Sequence, residues 1–174
     1  MSGTESPPLD VLDQGQPLRF RVDDLMRYHG PLAPGGVAHG FTAMARAFPL
    51  ISPGEPPERR EIRLSTAFPG PGARDAFELV TRAVTEGRYL VDRGLERADR
   101  GHILERYVFR FDYRGNTVTL VLRDGYVTEE FITLSRTDPR SAEQERHLCV
   151  LKREMADRLL GAPVDQVYQV YQPA

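Results

Sequence analysis

Cysteine is all but missing from this chain. Cys149 is the only one, so neither an intrachain disulfide nor a cysteine-cluster metal site can form. Its place in a helical stripe reads as that of an inert buried thiol. Lysine is as scarce. Every basic residue except Lys152 and the histidines is arginine, so a bound anion would meet guanidinium forks more than ammonium groups. Neither sign of charge dominates: the net charge is -2, with a pI near 6.1, and nothing in that balance points to a nucleic-acid or membrane-surface partner. No apolar run is long enough to span a bilayer. MSGTESPPLD lacks the basic segment and apolar stretch of a secretory signal. The expected location is therefore cytoplasmic. Phosphate-loop, dinucleotide and nucleophile-elbow motifs are missing too.

What is present is an ordinary globular composition, 40% hydrophobic and 28% charged over 174 residues, enough to bury a core. Residues 1–17 are polar and bear proline and glycine, and read as a flexible arm. Residues 18–163 carry the periodic segments of one α+β domain, and 164–174 form a C-terminal tail.

Within the domain, FRVDDLMRYHG offers a short helix capped by Asp23 or Asp24 and ended by Gly30. A second helix starts near Gly36, with Val37, Phe41, Met44 and Phe48 on one stripe and Pro49 as its stop. EIRLSTAF alternates as a strand over 61–68, Asp75 to Glu86 reads as a helix ended by Gly87, and Tyr89 to Val91 as a short strand. A β-meander follows over 103–134. Tyr107, Phe109, Phe111 and Tyr113 share one face, Arg114-Gly115-Asn116 turns the chain, and Tyr126 to Leu134 returns as a third strand. Glu129 and Glu130 then point to opposite faces of that strand and make no acid/base pair. Ser141 and Gln144 form a capping box for a last helix with Leu148, Leu151, Met155 and Leu159 inward. The order implies α+β architecture, with helices packed on a mixed, largely antiparallel sheet.

The stretch that stands out is RYHGPLAPGGVAHGF, residues 27–41. One reading is purely structural: the glycines and prolines shape a loop, and Gly36 and Gly40, four apart, let another backbone come close. The other is functional. His39 falls away from the apolar stripe, Arg46 shares its face, and His29 precedes a helix N-terminus suited to an anionic or polar ligand. Imidazole there would move protons near neutral pH. A His/His/Asp metal site using Asp75 is possible, but no spacing demands it. Asp75 reads equally as a helix N-cap.

These residues resemble the formylmethanofuran dehydrogenase E-subunit-like family. Its first motif, approximately His-Gly-His-Leu-Cys-Pro-Gly, is matched by His29-Gly30-Pro31-Leu32-Ala33-Pro34-Gly35. Its second, approximately Asp-Ala-Ile-Gln-x-x-Thr-Gly-Cys-Thr, is matched by the segment from Asp75 through Thr81, Arg82 and Ala83 to Val84. YVFRFDYRGNTVTLVL extends the likeness, which covers residues 22–135. The resemblance implies the fold of that family, a tendency to form homodimers, for which the aromatic strand would serve, and a metal site, usually zinc. Here the metal-ligand positions are Pro31, Ala33 and Ala83, none of which can coordinate a cation. The site is thus implied to be degenerate, without metal or other cofactor.

Two classes of function follow. In the first, the chain is a metal-independent enzyme acting on a small polar or anionic metabolite. His29 and His39 are its catalytic acid/base residues, and Tyr28, Gly35, Gly36, Arg46, Asp75, Thr81 and Arg82 bind the ligand. In the second, it is a non-catalytic binding module for a small molecule or a metal, or an accessory subunit with a vestigial pocket.

Overall fold

A computed structural model describes residues 6–173. The chain opens with an antiparallel hairpin of β1 (Leu9–Asp13) and β2 (Gln16–Phe20). Helices α1 (Val22–His29) and α2 (Pro34–Ile51) follow, then β3 (Arg63–Thr66), α3 (Pro71–Thr81), β4 (Tyr89–Val91) and a short α4 (Gly101–Leu104). The second half contains β5 (Val108–Tyr113), β6 (Asn116–Leu122), α5 (Glu129–Arg136), α6 (Ala142–Leu160), α7 (Val164–Val167) and β7 (Tyr168–Val170). The main sheet runs β4-β3-β5-β6-β7, antiparallel throughout except for the β3/β4 pair. This is the α+β arrangement anticipated from the order of segments.

The sheet is two-faced because its strands alternate. Phe109, Phe111 and Tyr113 of β5, with Leu120 and Leu122 of β6, are buried against the helices. Arg110 and Thr117 stand on the opposite face and are exposed there, and Asp112 accepts hydrogen bonds from both. Tyr107, Phe109, Phe111 and Tyr113 all lie in the chain's own core. They are not free to form the dimer surface suggested for them.

The structure corrects several local expectations. The segment 126–134 is not the third strand of the meander. Thr128 caps a helix there, its side chain accepting from the Phe131 N–H, and Glu129 and Glu130 sit in the first turn, where carboxylates suit the helix dipole. The third strand is β7, supplied by the tail, so residues 164–170 belong to the folded body. Residues 9–17, expected in a loose arm, form most of the β1/β2 hairpin, anchored by buried Leu9 and Val11; residues 1–5 of that arm lie outside the described residues. Finally, Pro49 does not stop α2, which runs on to Ile51, and Cys149 is exposed rather than buried.

α2 is the hub. Val37, Ala38, Phe41, Ala43, Met44, Ala47, Phe48 and Ile51 are all buried, so it is apolar on nearly every side, as a central helix must be. It packs on α3 through a seam of small residues. A Cβ added to Gly72 would lie 2.7 Å from the Ala33 carbonyl oxygen and 2.8 Å from the Val37 nitrogen. One added to Gly40 would lie 2.7 Å from the Ala76 Cβ. The expectation that Gly36 and Gly40 admit a neighbouring backbone is met, and the neighbour is α3. Because Gly36 faces Gly72 and Gly40 faces Ala73 and Ala76, the two helices run in the same direction with their N-termini side by side.

This seam sets a competition of known sign. Within a helix, glycine to alanine ordinarily stabilises by about 1 kcal/mol. At Gly72 the obstacles are backbone atoms of α2, which cannot turn aside, and overpacking costs about 1–3 kcal/mol. With contacts this short the cost falls at the upper end of that range, and after the helix-propensity gain Gly72→Ala is expected to lower the unfolding free energy in urea by about 2 kcal/mol. Wild-type or greater stability would show that the two helices do not touch there.

Candidate functional site

The close approach of α2 and α3 brings the end of α1 against the second turn of α3. There His29 Nδ1 lies 2.8 Å from Asp75 Oδ2. His29 is the last residue of α1, and Gly30 follows with φ 89°, a left-handed value that turns the chain away. Asp75 is not an N-cap: α3 begins at Pro71, with Gly70 before it. Its carboxylate is shared, Oδ2 facing His29 and Oδ1 accepting from Arg74 Nη2 at 3.3 Å. The carboxylate accepts the proton on Nδ1, which fixes the tautomer of a neutral ring and leaves the Nε2 lone pair open. Among the described residues no group hydrogen-bonds Nε2. The His29 side chain keeps 10% of its surface exposed and Asp75 keeps 25%. Exposed Tyr28, Leu32 and Arg74 stand beside the pair in sequence, and Lys152 Nζ donates to the Leu32 carbonyl of the following loop.

The remaining residues singled out in the sequence go elsewhere. His39 is completely buried, not turned away from the core. Its Nδ1 is 2.6 Å from the Tyr168 hydroxyl and its Nε2 3.2 Å from the Met155 sulfur, with Tyr107 and Phe68 against the ring. A ring accepting from Tyr168 through Nδ1 and donating to sulfur through Nε2 is neutral and fully satisfied. Burial pushes its pKa from 6.5 down to about 3. His39 therefore cannot assist His29. Arg46 does share its face, but what it meets is the Tyr168 carbonyl, at 3.3 Å. The helix face expected to bind a ligand instead holds β7 in place.

Thr81 is buried and donates to the Phe77 carbonyl one turn back. Arg82 is not mid-helix. At φ 60° it ends α3 in the left-handed region, half-exposed, with Glu78 4.0 Å away. Gly35 and Gly36 are packing positions, against Met155 of α6 and Gly72 of α3.

Several charged residues that hold this region were not anticipated. Arg59 donates to the carbonyls of Val80 and Leu79, and Arg88 to that of Thr81, so two cations close the C-terminus of α3. Buried Glu78 accepts from the backbone N–H groups of Val84 and Thr85, fastening the turn beyond the helix. Arg74 had one visible signal, its place next to Asp75. The others act across gaps in sequence that no local pattern reveals.

The three positions where the resemblance implies a degenerate metal site do not converge. The Ala33 carbonyl abuts Gly72, at the start of α3, whereas Ala83 lies beyond its far end. At 1.5 Å per residue, about 13 Å of helix separates them. Among the described residues no three His, Cys, Asp or Glu side chains form a set able to hold a metal ion. No helix among them is long and apolar enough to cross a membrane. Compared with known proteins, the chain matches no family model and no curated protein.

The buried imidazole gives stability a pH dependence of definite sign. Unfolded, His39 takes up a proton near pH 6.5; folded, it does so only near pH 3. Between those values the unfolded chain binds more protons, so stability is complete above about pH 6.5 and declines as the pH falls. The slope from this one group is about 1.4 kcal/mol per pH unit. In urea titrations from pH 7 to 4, His39→Gln should show a correspondingly flatter pH dependence than wild type. Parallel curves would contradict burial of the neutral ring.

Proposed function

We propose that the chain is an enzyme in which His29 is the acid/base residue acting on a small polar or anionic metabolite. The observation that carries this reading is the 2.8 Å contact between His29 Nδ1 and Asp75 Oδ2, on a ring whose other nitrogen has no partner among the described residues. A carboxylate behind an imidazole holds the tautomer that presents Nε2 as a base. It also stabilises the imidazolium formed when a proton is taken. The proton moves from substrate to Nε2 and is later returned, while Asp75 remains ionised. No metal is required for that step.

Arg74, with its side chain 54% exposed, is placed to meet a negative group on the substrate. It takes the role given to Arg46 and Arg82 when only the sequence is read. Tyr28, 51% exposed and one residue before His29 in α1, offers a hydroxyl and a ring surface near the end of that helix.

A second reading is favoured by the limited exposure of the imidazole, 10%. On that view the pair is a fastener between α1 and α3, and the chain is a non-catalytic binding module or accessory subunit. The two readings separate on one pair of measurements. A metabolite extract incubated with the protein would be followed by mass spectrometry for species consumed and formed, and His29→Ala compared in both conversion and thermal stability. The enzyme reading predicts conversion by the wild type and a loss of about 100-fold or more in His29→Ala at little cost in melting temperature, with partial rescue by added imidazole. Undiminished conversion in that variant rejects the assignment of His29. No conversion in the wild type, with a large drop in melting temperature on substitution, favours the fastener.

A further inference from the structure

A groove of about 1060 Å³ opens on a different part of the molecule, along the second half of α2. It stands apart from His29 and owes nothing to the acid/base reading. Its apolar floor is made by Phe41, Ala45 and Phe48 of α2 with Leu159 and Leu160 of α6. Its volume is of the order of sites that take whole small molecules.

Three observations indicate what such a molecule would be. First, the walls are rich in proline: Pro7, Pro8, Pro49, Pro56, Pro57 and Pro163 all line the groove. Their fixed backbone angles leave little conformational freedom to lose when a ligand enters.

Second, two hydroxyl residues line the groove although they are nearly inaccessible, Thr42 at 1% exposure and Ser52 at 5%. Neither side chain has a hydrogen-bond partner among the described residues. A buried helical threonine commonly donates to the carbonyl one turn back, as Thr81 does to Phe77 at 2.7 Å. Thr42 does not, so its hydroxyl is available to a ligand.

Third, the charges on the groove have one sign. Asp10, Glu55 and Asp157 line it and, among the described residues, no basic one does. Asp10 is engaged by Arg19 at 2.7 Å. Glu55 and Asp157 are exposed and in no salt bridge among the described residues. An acidic rim above an apolar floor attracts a cation and repels a carboxylate.

We infer that this groove is a second ligand site, for a lipophilic amine whose apolar body lies between α2 and α6 and whose ammonium group, drawn in by the acidic rim, donates to the Thr42 and Ser52 hydroxyls.

The test is calorimetric titration of the full chain with decylammonium, decanol and decanoate, each below its micelle-forming concentration. The amine is expected to bind at one site, more tightly than the alcohol, and decanoate not to bind. Ala45→Phe, which fills the floor, should abolish binding while leaving the circular dichroism spectrum unchanged. Thr42→Val should weaken it about tenfold, the loss of one hydrogen bond. The double substitution Glu55→Gln with Asp157→Asn should bring the amine down to the alcohol's affinity. Equal binding of all three probes would overturn the choice of a cation, and amine binding that survives Ala45→Phe would overturn the groove as its site. If Ala45→Phe fails to fold, Ala45→Leu serves the same purpose. The absence of any amine binding to the wild type rejects the proposal outright.

Discussion

The contact on which the rest depends is the seam where α2 and α3 meet at Gly36, Gly40 and Gly72. Gly36, Gly40 and Gly72 remove the side chains that would hold the backbones apart, and each helix begins with a proline that presets its first turn. Dispersion and apolar burial then act at backbone distance. Because the helices run in the same direction, their N-termini lie side by side. The end of α1, joined to α2 by a four-residue loop, is carried to the second turn of α3. That is how His29 reaches Asp75. Two arginines on the carbonyls at the far end of α3, and Glu78 on the turn beyond, hold the same helix at its other terminus.

The two histidines ten residues apart show how environment divides one chemistry. His39 lies among aromatic rings and a thioether, with both nitrogens satisfied, and burial holds it neutral far below the usual range. It gives the core specificity: one ring orientation serves Tyr168 and Met155 together, and so ties the tail strand and α6 to the central helix. His29 lies at the edge, with a carboxylate behind one nitrogen and no described group bonded to the other. Of the two, only His29 keeps part of its ring surface exposed.

Much of this was legible in the residues, and the failures have physical causes. The alternation in YVFRFDYRGNTVTLVL marked β5 and β6 with their turn, and Ser141-Gln144 marked the start of α6 as a reciprocal cap. The close approach at Gly36 and Gly40 could be read from spacing alone, though its partner could not. Tyr126 to Leu134 misled because apolar residues recur there every two and every three to four positions. Thr128 with two following glutamates was the decisive helix signal. β7 was hidden because a three-residue strand carries no periodicity and exists only by pairing with β6. His39 misled for a related reason. A helical wheel places a residue relative to its own helix, but α2 is enclosed on nearly all sides, so the direction His39 takes does not face water. His29 and Asp75, 46 residues apart, could be proposed separately but joined only by the fold.

The most direct measurement is the nitrogen-15 spectrum of the His29 imidazole at pH 8, where a free neutral ring carries its proton mainly on Nε2. The opposite tautomer is predicted here, with the proton on Nδ1 toward Asp75, and a return to the ordinary one in Asp75→Asn. A His29 signal with the proton on Nε2 in the wild-type protein would contradict it.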